Sequence, residues 1–238
     1  MSISDKYRFK KFKQKKSKPK KFNVLLDLDE CLIQTQEQSY PYDFEDRGGH
    51  FTEGPHNIRI INYNKQKLLL FLRPNLVDFL KFLFDNFNVG IWTSSRKEYA
   101  LAIFNDLKGD NPDIQKENLI CFITRIKSNK KIKNKYGRLV KEDIFYDIIK
   151  NKKIHLKTYD NISKDLNFLF TNEAYKDKFS NKNTLLIDDS IGHYAVNKGK
   201  NVILVNEFKS MIYCDNTLLK IEDWLKKNII LSKKRNID

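Results

Sequence analysis

Phe22-Asn23-Val24-Leu25-Leu26-Asp27-Leu28-Asp29-Glu30-Cys31-Leu32 begins with a short apolar run that stops abruptly on an acid. So brief a run reads as a strand buried on both faces of a parallel sheet. The same punctuation recurs along the chain. Val89–Trp92 ends at Thr93, Thr184–Ile187 ends at Asp188, and Val202–Val205 ends at Asn206. Leu119–Ile123 reads as another short strand. Ile58–Ile61 and Leu68–Leu72 read as a pair joined by a hairpin turn at Tyr63-Asn64-Lys65-Gln66. Helical spacing fills the gaps. Pro74 opens one helix, with Val77, Leu80, Phe84 and Phe87 on its apolar stripe. Residues 96–107, 141–150, Asp165–Phe170 and Leu218–Trp224 read as further helical stretches, and residues 34–57 as an irregular polar excursion. Buried strands alternating with helices predict an α/β fold, a parallel sheet covered on both faces.

Composition agrees with a folded body and a separate tail. Hydrophobic residues make up 40% of the 238, enough for a sizeable core. Residues 6–21 hold ten of the 45 basic residues, and only one of the 30 acids precedes Phe22. The body then carries 35 basic against 29 acidic residues, so most of the +15 excess lies in the tail. Like charges this dense predict a disordered basic tail over residues 1–21, ahead of a domain over 22–238. Three scattered cysteines without a CxxC pair fit a reducing compartment. No apolar run is long enough to span a bilayer, and no apolar segment follows the basic start as in a secretory signal. The expectation is an intracellular protein, nuclear or cytoplasmic, with no transmembrane segment.

In parallel α/β sheets ligands bind beyond the carboxyl ends of the strands. Here those ends carry Asp27 and Asp29, then Thr93, then Asp188 and Asp189. Clustered carboxylates raise one another's pKa unless a cation neutralises them. Mg²⁺ suits a few carboxylate oxygens together with water and phosphate. Zinc does not suit this set, because His50, His56, His155 and His193 are scattered.

The segment Asp27-Leu28-Asp29-Glu30-Cys31-Leu32 resembles the first motif of the haloacid dehalogenase (HAD) superfamily. It resembles in particular the branch of RNA polymerase II C-terminal-domain phosphatases, the NLI-interacting-factor-like phosphatases. Leu72-Arg73-Pro74 resembles that family's Arg-Pro-Gly segment, with Asn75 in place of glycine. Ile91-Trp92-Thr93-Ser94-Ser95 with Tyr99-Ala100 resembles the second motif, Lys157 with Asp165-Leu166 the third, and Leu186-Ile187-Asp188-Asp189-Ser190 the fourth. The resemblance implies a HAD-like fold with a small insertion at about residues 109–155 and no large cap domain. It implies a Mg²⁺-dependent phosphoric monoester hydrolase acting on phosphoserine or phosphothreonine in proteins, through an aspartyl phosphate. Asp27 is then the nucleophile and Asp29 the acid/base. Thr93 and Lys157 bind and neutralise the phosphoryl group, and Ser94 and Tyr99 line the substrate cleft. Asp27, Asp29 through its backbone carbonyl, Asp188 and Asp189 form the metal site.

Two departures from the family pattern stand out. Cys31 replaces a threonine and reads as a buried thiol beside the nucleophile, and Asn75 alters a turn at a helix start. Neither removes a catalytic group. A second basic cluster spans residues 125–138, within the insertion; there it would steer acidic or multiply phosphorylated substrates. The basic tail offers contacts to nucleic acid or another acidic partner. The same motifs also serve phosphatases of nucleotides, nucleic-acid ends or lipids, and non-catalytic binding relatives of the family.

Overall fold

The computed structural model describes residues 22–37, 58–110, 114–126, 131–133, 139–141, 144–155, 164–210 and 215–231. The basic tail, Lys157 and part of the 125–138 cluster lie outside the described residues. The first strands are β1 (Asn23–Leu26), β2 (Ile33–Glu37), β3 (Ile58–Tyr63) and β4 (Gln66–Leu72), followed by α1 (Leu76–Asn86), β5 (Asn88–Arg96) and α2 (Lys97–Asp110). Next come β6 (Phe122–Ile126), β7 (Lys131–Lys133), β8 (Leu139–Lys141), β9 (Ile144–Asp147) and β10 (Lys152–His155). The rest comprises α3 (Leu166–Thr171), β11 (Thr184–Asp188), α4 (Ile191–Val196), β12 (Val202–Leu204) and α5 (Thr217–Leu225).

Seven strands form the main sheet in the order β10-β9-β6-β5-β1-β11-β12. The five from β6 to β12 are parallel, and β9 and β10 extend one edge antiparallel. Strand β1 lies central, with Leu26 paired to Ile91 on one side and Ile187 on the other. Its side chains alternate between two cores. Val24 and Leu26 join Phe79, Leu83, Ile103 and Leu107 from α1 and α2, with Ile221 and Leu225 from α5. Leu25 faces the opposite way, toward Leu166 and Leu169 of α3 and toward Tyr175 and Phe179. Both faces are therefore covered, and each fully buried leucine contributes about 1.5–3 kcal/mol relative to exposure. Gly90 lies on β5 between Leu25 of β1 and the chain entering β6, where a side chain would crowd both neighbours. A Cβ there would lie 2.7 Å from Leu25 and 2.8 Å from the Cys121 sulfur.

The hairpin forms where the sequence places it. β3 and β4 are joined through Asn64 and Lys65, both at positive φ, as a two-residue turn matching strand twist demands. Residues 34–37, read as the start of an irregular excursion, instead continue β2, which pairs with β4 from Ile33↔Leu72 to Glu37↔Leu68. Gln34 and Gln36 hide the alternation, and the ladder is set by the neighbour strand rather than by apolar pattern. Residues 141–150, read as helical, hold a strand and a turn. Phe145 and Asp147 point inward while Ile144 and Tyr146 are half-buried, a period of two. Pairing of β9 with β6 overrides local preference here. Asn75 sits before α1 at φ 66°, in the left-handed region. Glycine adopts that conformation freely and asparagine tolerates it better than other residues, so the replacement keeps the turn.

Candidate active site

Asp27 follows β1 directly, and its N–H donates to the Ile187 carbonyl at 3.0 Å, carrying the ladder one residue further. The chain then turns back on itself. Leu32 and Ile33 both donate to the Leu28 carbonyl, and Glu30 is held at φ 60°. Buried Arg73 fixes this loop from behind. Its guanidinium donates to the Cys31 carbonyl at 2.6 Å, the Asn206 carbonyl at 2.9 Å and Thr217 Oγ1 at 3.0 Å. Its Nε donates to Asp215 at 2.9 Å, and the group lies over Phe208. One fork thus joins the first loop, the end of β12 and the start of α5. Burial opposes the charge on Asp215, but Arg73 and Thr217 outweigh it and hold the carboxyl below its usual range. Lysine cannot reproduce this fork. Arg73→Lys is expected to lose about 2 kcal/mol of unfolding free energy by denaturant titration; an unchanged midpoint would show the fork to be dispensable.

A buried lysine occupies the heart of the site. Lys164 Nζ lies 2.6 Å from Asp27 Oδ2 and 2.7 Å from Asp188 Oδ2. Burial alone would lower its pKa, but the two carboxylates outweigh it and raise it, so the ammonium stays charged. Asp188 is fully spent on protein donors. Its other oxygen meets the Ser190 N–H at 2.9 Å and His193 Nδ1 at 2.8 Å. Burial would raise its pKa, yet Lys164 and His193 hold it down to about 2. Asp27 shares the same lysine and goes the other way. Burial lifts its carboxyl to about 7 and Lys164 only partly offsets it, while Asp188 adds to the rise. The two acids share one cation, and Asp188 has the Ser190 N–H and His193 as further partners.

Asp29 is held differently. Ser95 Oγ donates to Asp29 Oδ2, and the Tyr99 hydroxyl donates to Asp29 Oδ1 at 2.6 Å. The Tyr99 oxygen also lies 2.9 Å from Thr35 Oγ1. Burial, then the adjacent Asp29 charge, pushes the Tyr99 phenol far above its usual range, so it remains a hydroxyl. Thr93 is buried at the end of the apolar part of β5, where its Oγ1 accepts from the Ser95 N–H at 3.0 Å. Ser94 stands beside it, half-buried. Cys31 is buried, with its sulfur 3.7 Å from the Ile187 carbonyl. Burial pushes its thiol well above the usual range, as suits a packed rather than a reactive sulfur.

The structure therefore gathers Asp27, Asp29, Thr93 and Asp188–Asp189 at one sheet edge. Lys157, expected against Asp27, lies outside the described residues; the lysine seated there is Lys164. Lys164 immediately precedes Asp165, whose side chain caps α3 by accepting from the Asn167 N–H. The lysine directly before this capping acid is the signal in the sequence that points to Lys164. His193 was set aside as scattered, yet it falls in the first turn of α4, capped by Ser190. Ser95 stands in the second motif without a role of its own, and Thr35 falls in the polar excursion, because hydroxyls at such positions also serve as ordinary caps and edge-strand residues.

Among the described residues, one group of acids and histidine brings its ligand atoms within 4.8 Å, namely Asp27, Asp188 and His193. Asp188 has no oxygen left without a protein donor, and His193 is engaged with it. Asp189 is half-buried beside them, and burial pushes its carboxyl up, as does Asp188. An all-oxygen set of Asp27, Asp189 and a backbone carbonyl matches what Mg²⁺ prefers.

The family model described as NLI interacting factor-like phosphatase matches residues 22–236. The chain belongs to this family. CTD phosphatase-like protein 355R of Invertebrate iridescent virus 6 is 27% identical over 210 residues, covering 87% of this chain and 98% of that protein. Its namesake in Invertebrate iridescent virus 3 is 36% identical over 87 residues, covering 37% of this chain and 44% of that protein. A structure of Fcp1, described as an essential RNA polymerase II CTD phosphatase, aligns with 91% of this chain at 14% identity and a TM-score of 0.46. Fission yeast Fcp1-R271A bound to beryllium fluoride aligns with 92% at 15% identity and a TM-score of 0.49. The chain spans 50% and 55% of those two solved structures. The family resemblance read from the motifs is thus correct, as is the α/β class with its mostly parallel sheet.

Proposed function

We propose that this protein is a Mg²⁺-dependent phosphatase that works through an aspartyl phosphate on Asp27 and acts on phosphoserine or phosphothreonine in proteins. The observation that carries it is the Asp27–Lys164–Asp188 cluster at the strand ends, with Asp29 two residues on and held by hydroxyls. An oxygen of Asp27 attacks phosphorus as the bond to the substrate oxygen breaks. Asp29 gives its proton to that leaving oxygen, then takes one from the water that attacks phosphorus in the second step. The acyl phosphate P–O bond breaks, which frees inorganic phosphate and restores Asp27. Thr93 donates to the phosphoryl oxygens, and Lys164 holds Asp27 while offsetting the charge that gathers there. Asp27, Asp189 and the Asp29 carbonyl would hold Mg²⁺, with Asp188 fixing Lys164 behind them. Bound there, Mg²⁺ supplies Lewis-acid neutralisation of a phosphoryl oxygen.

The polymerase C-terminal domain is the proposed substrate, and the names of the viral relatives support that choice. No helix among the described residues is long and apolar enough to cross a membrane. A nuclear or cytoplasmic location, and contacts of the basic tail with an acidic partner, belong to the same proposal. The test is hydrolysis of p-nitrophenyl phosphate and of phosphoserine heptad peptides, with Mg²⁺ and with EDTA. Turnover abolished by EDTA and restored by Mg²⁺ is expected. Folded protein with no hydrolysis of either substrate would point to a binding relative instead.

A further inference from the structure

Half-buried Asp29 differs from the two buried acids of the site, Asp27 and Asp188, in the kind of partner it has. Asp27 and Asp188 meet an ammonium, whereas hydroxyls hold both oxygens of Asp29. Ser95 reaches Oδ2 from the end of β5, and Tyr99 reaches Oδ1 from the first turns of α2. The Tyr99 ring is fixed in turn. It packs edge-on against Tyr63 at 5.5 Å, and its oxygen meets Thr35 of β2. Each of these groups comes from a different element, so the carboxyl is oriented by the sheet edge, the helix and the hairpin together.

Such a clamp suits a group that must gain and lose a proton without moving. A hydroxyl donates to a carboxylate and accepts from a carboxylic acid, so its bond survives either state. A lysine partner would favour the ionised state alone. We propose that Tyr99 and Ser95 are positioning residues for the acid/base Asp29, with Thr35 fixing the Tyr99 hydroxyl, and that Tyr99 acts through Asp29 rather than by contact with substrate. This rests on the proposed phosphatase reading and refines the substrate-cleft role expected for Tyr99.

The experiment compares kcat/KM for phenyl phosphate and 2,4-dinitrophenyl phosphate in the full chain with Mg²⁺. Phenoxide is a strong base that needs protonation as it leaves; dinitrophenoxide does not. A general acid contributes about 10²–10⁴-fold where protonation is needed. Tyr99→Phe, which keeps the ring, is expected to lose about tenfold or more on phenyl phosphate and less than about threefold on the dinitrophenyl ester. Ser95→Ala should show the same selectivity, and Thr35→Val a weaker form of it. Equal losses on both esters, with an unchanged melting temperature, would mean a merely structural role and overturn the proposal. So would unchanged rates on both. An Asp29→Asn protein without leaving-group selectivity would remove the acid on which the clamp acts and overturn it too. Wild-type protein inactive on both esters would instead sink the phosphatase reading, and the clamp's role with it.

Discussion

Asp27→Asn protein is expected to fold like the wild type and to lose at least about 10⁴-fold in turnover, as removal of a covalent nucleophile generally does. Asparagine keeps the shape, but its one amide oxygen can accept either the Leu28 N–H, as Asp27 Oδ1 does at 2.8 Å, or the Lys164 ammonium, not both. It cannot form the acyl phosphate. Stability should stay close to that of the wild type, because two effects oppose one another. Burial lifts the Asp27 carboxyl to about 7 in the folded chain, above its unfolded value. A raised carboxyl pKa means that the ionised form opposes folding once pH exceeds the unfolded value of about 4. The neutral amide removes that penalty but gives up the ion pair with Lys164, which keeps Asp188 as its remaining carboxylate partner. Phosphate release and thermal melting in EDTA measure the two halves separately. Wild-type turnover in folded variant protein would move the nucleophile elsewhere. Lost turnover together with a large drop in melting temperature would show that Lys164 needs both carboxylates, and the catalytic assignment would then lack this support.

The parts of this site legible in the sequence are those written on strands. A fully buried parallel strand shows as an apolar run with an abrupt end, and Leu26–Asp27, Trp92–Thr93 and Ile187–Asp188 all show it. The geometry of the sheet then does the gathering, because parallel neighbours end on the same side. Asn64-Lys65 was equally plain, since a two-residue hairpin needs residues that accept positive φ. What escaped the sequence depends on contacts across it. Ile33–Glu37 becomes a strand only because β4 offers its backbone, and Ile144–Asp147 only because β6 does. Lys164 gains its role from 137 and 24 residues away in sequence, at Asp27 and Asp188. In a chain with 45 basic residues, composition does not single out one lysine. Arg73 stood inside a quoted motif, but its task of binding three segments appears only once Cys31, Asn206 and Asp215 are seen together.

Lys164→Met should be the more damaging change to the fold. Methionine fills similar volume but leaves Asp27 and Asp188 facing one another without the ammonium between them. Removing one member of a buried charge cluster costs about 3–5 kcal/mol, because the remaining charge is left uncompensated. The loss should depend on pH in a defined sense. In the wild type Asp188 is held down to about 2, so its stabilisation is present above the unfolded value and lost as pH falls through the folded one. In the variant both carboxyls would be raised, and their penalty, full at neutral pH, would lift as they protonate. The melting-temperature gap between the two proteins should therefore narrow from pH 7 toward about pH 5. A gap constant across that range would indicate lost packing rather than lost charge. Turnover is expected to fall at least about 10²-fold, as for loss of a fixed group that stabilises developing charge. Lys157→Met decides between the two lysines. If Lys164 carries the role, Lys157→Met keeps most of its turnover and its melting temperature. If Lys157 carries it, as the motif spacing implied, its removal abolishes turnover, while Lys164→Met loses stability but retains catalysis in the surviving folded fraction.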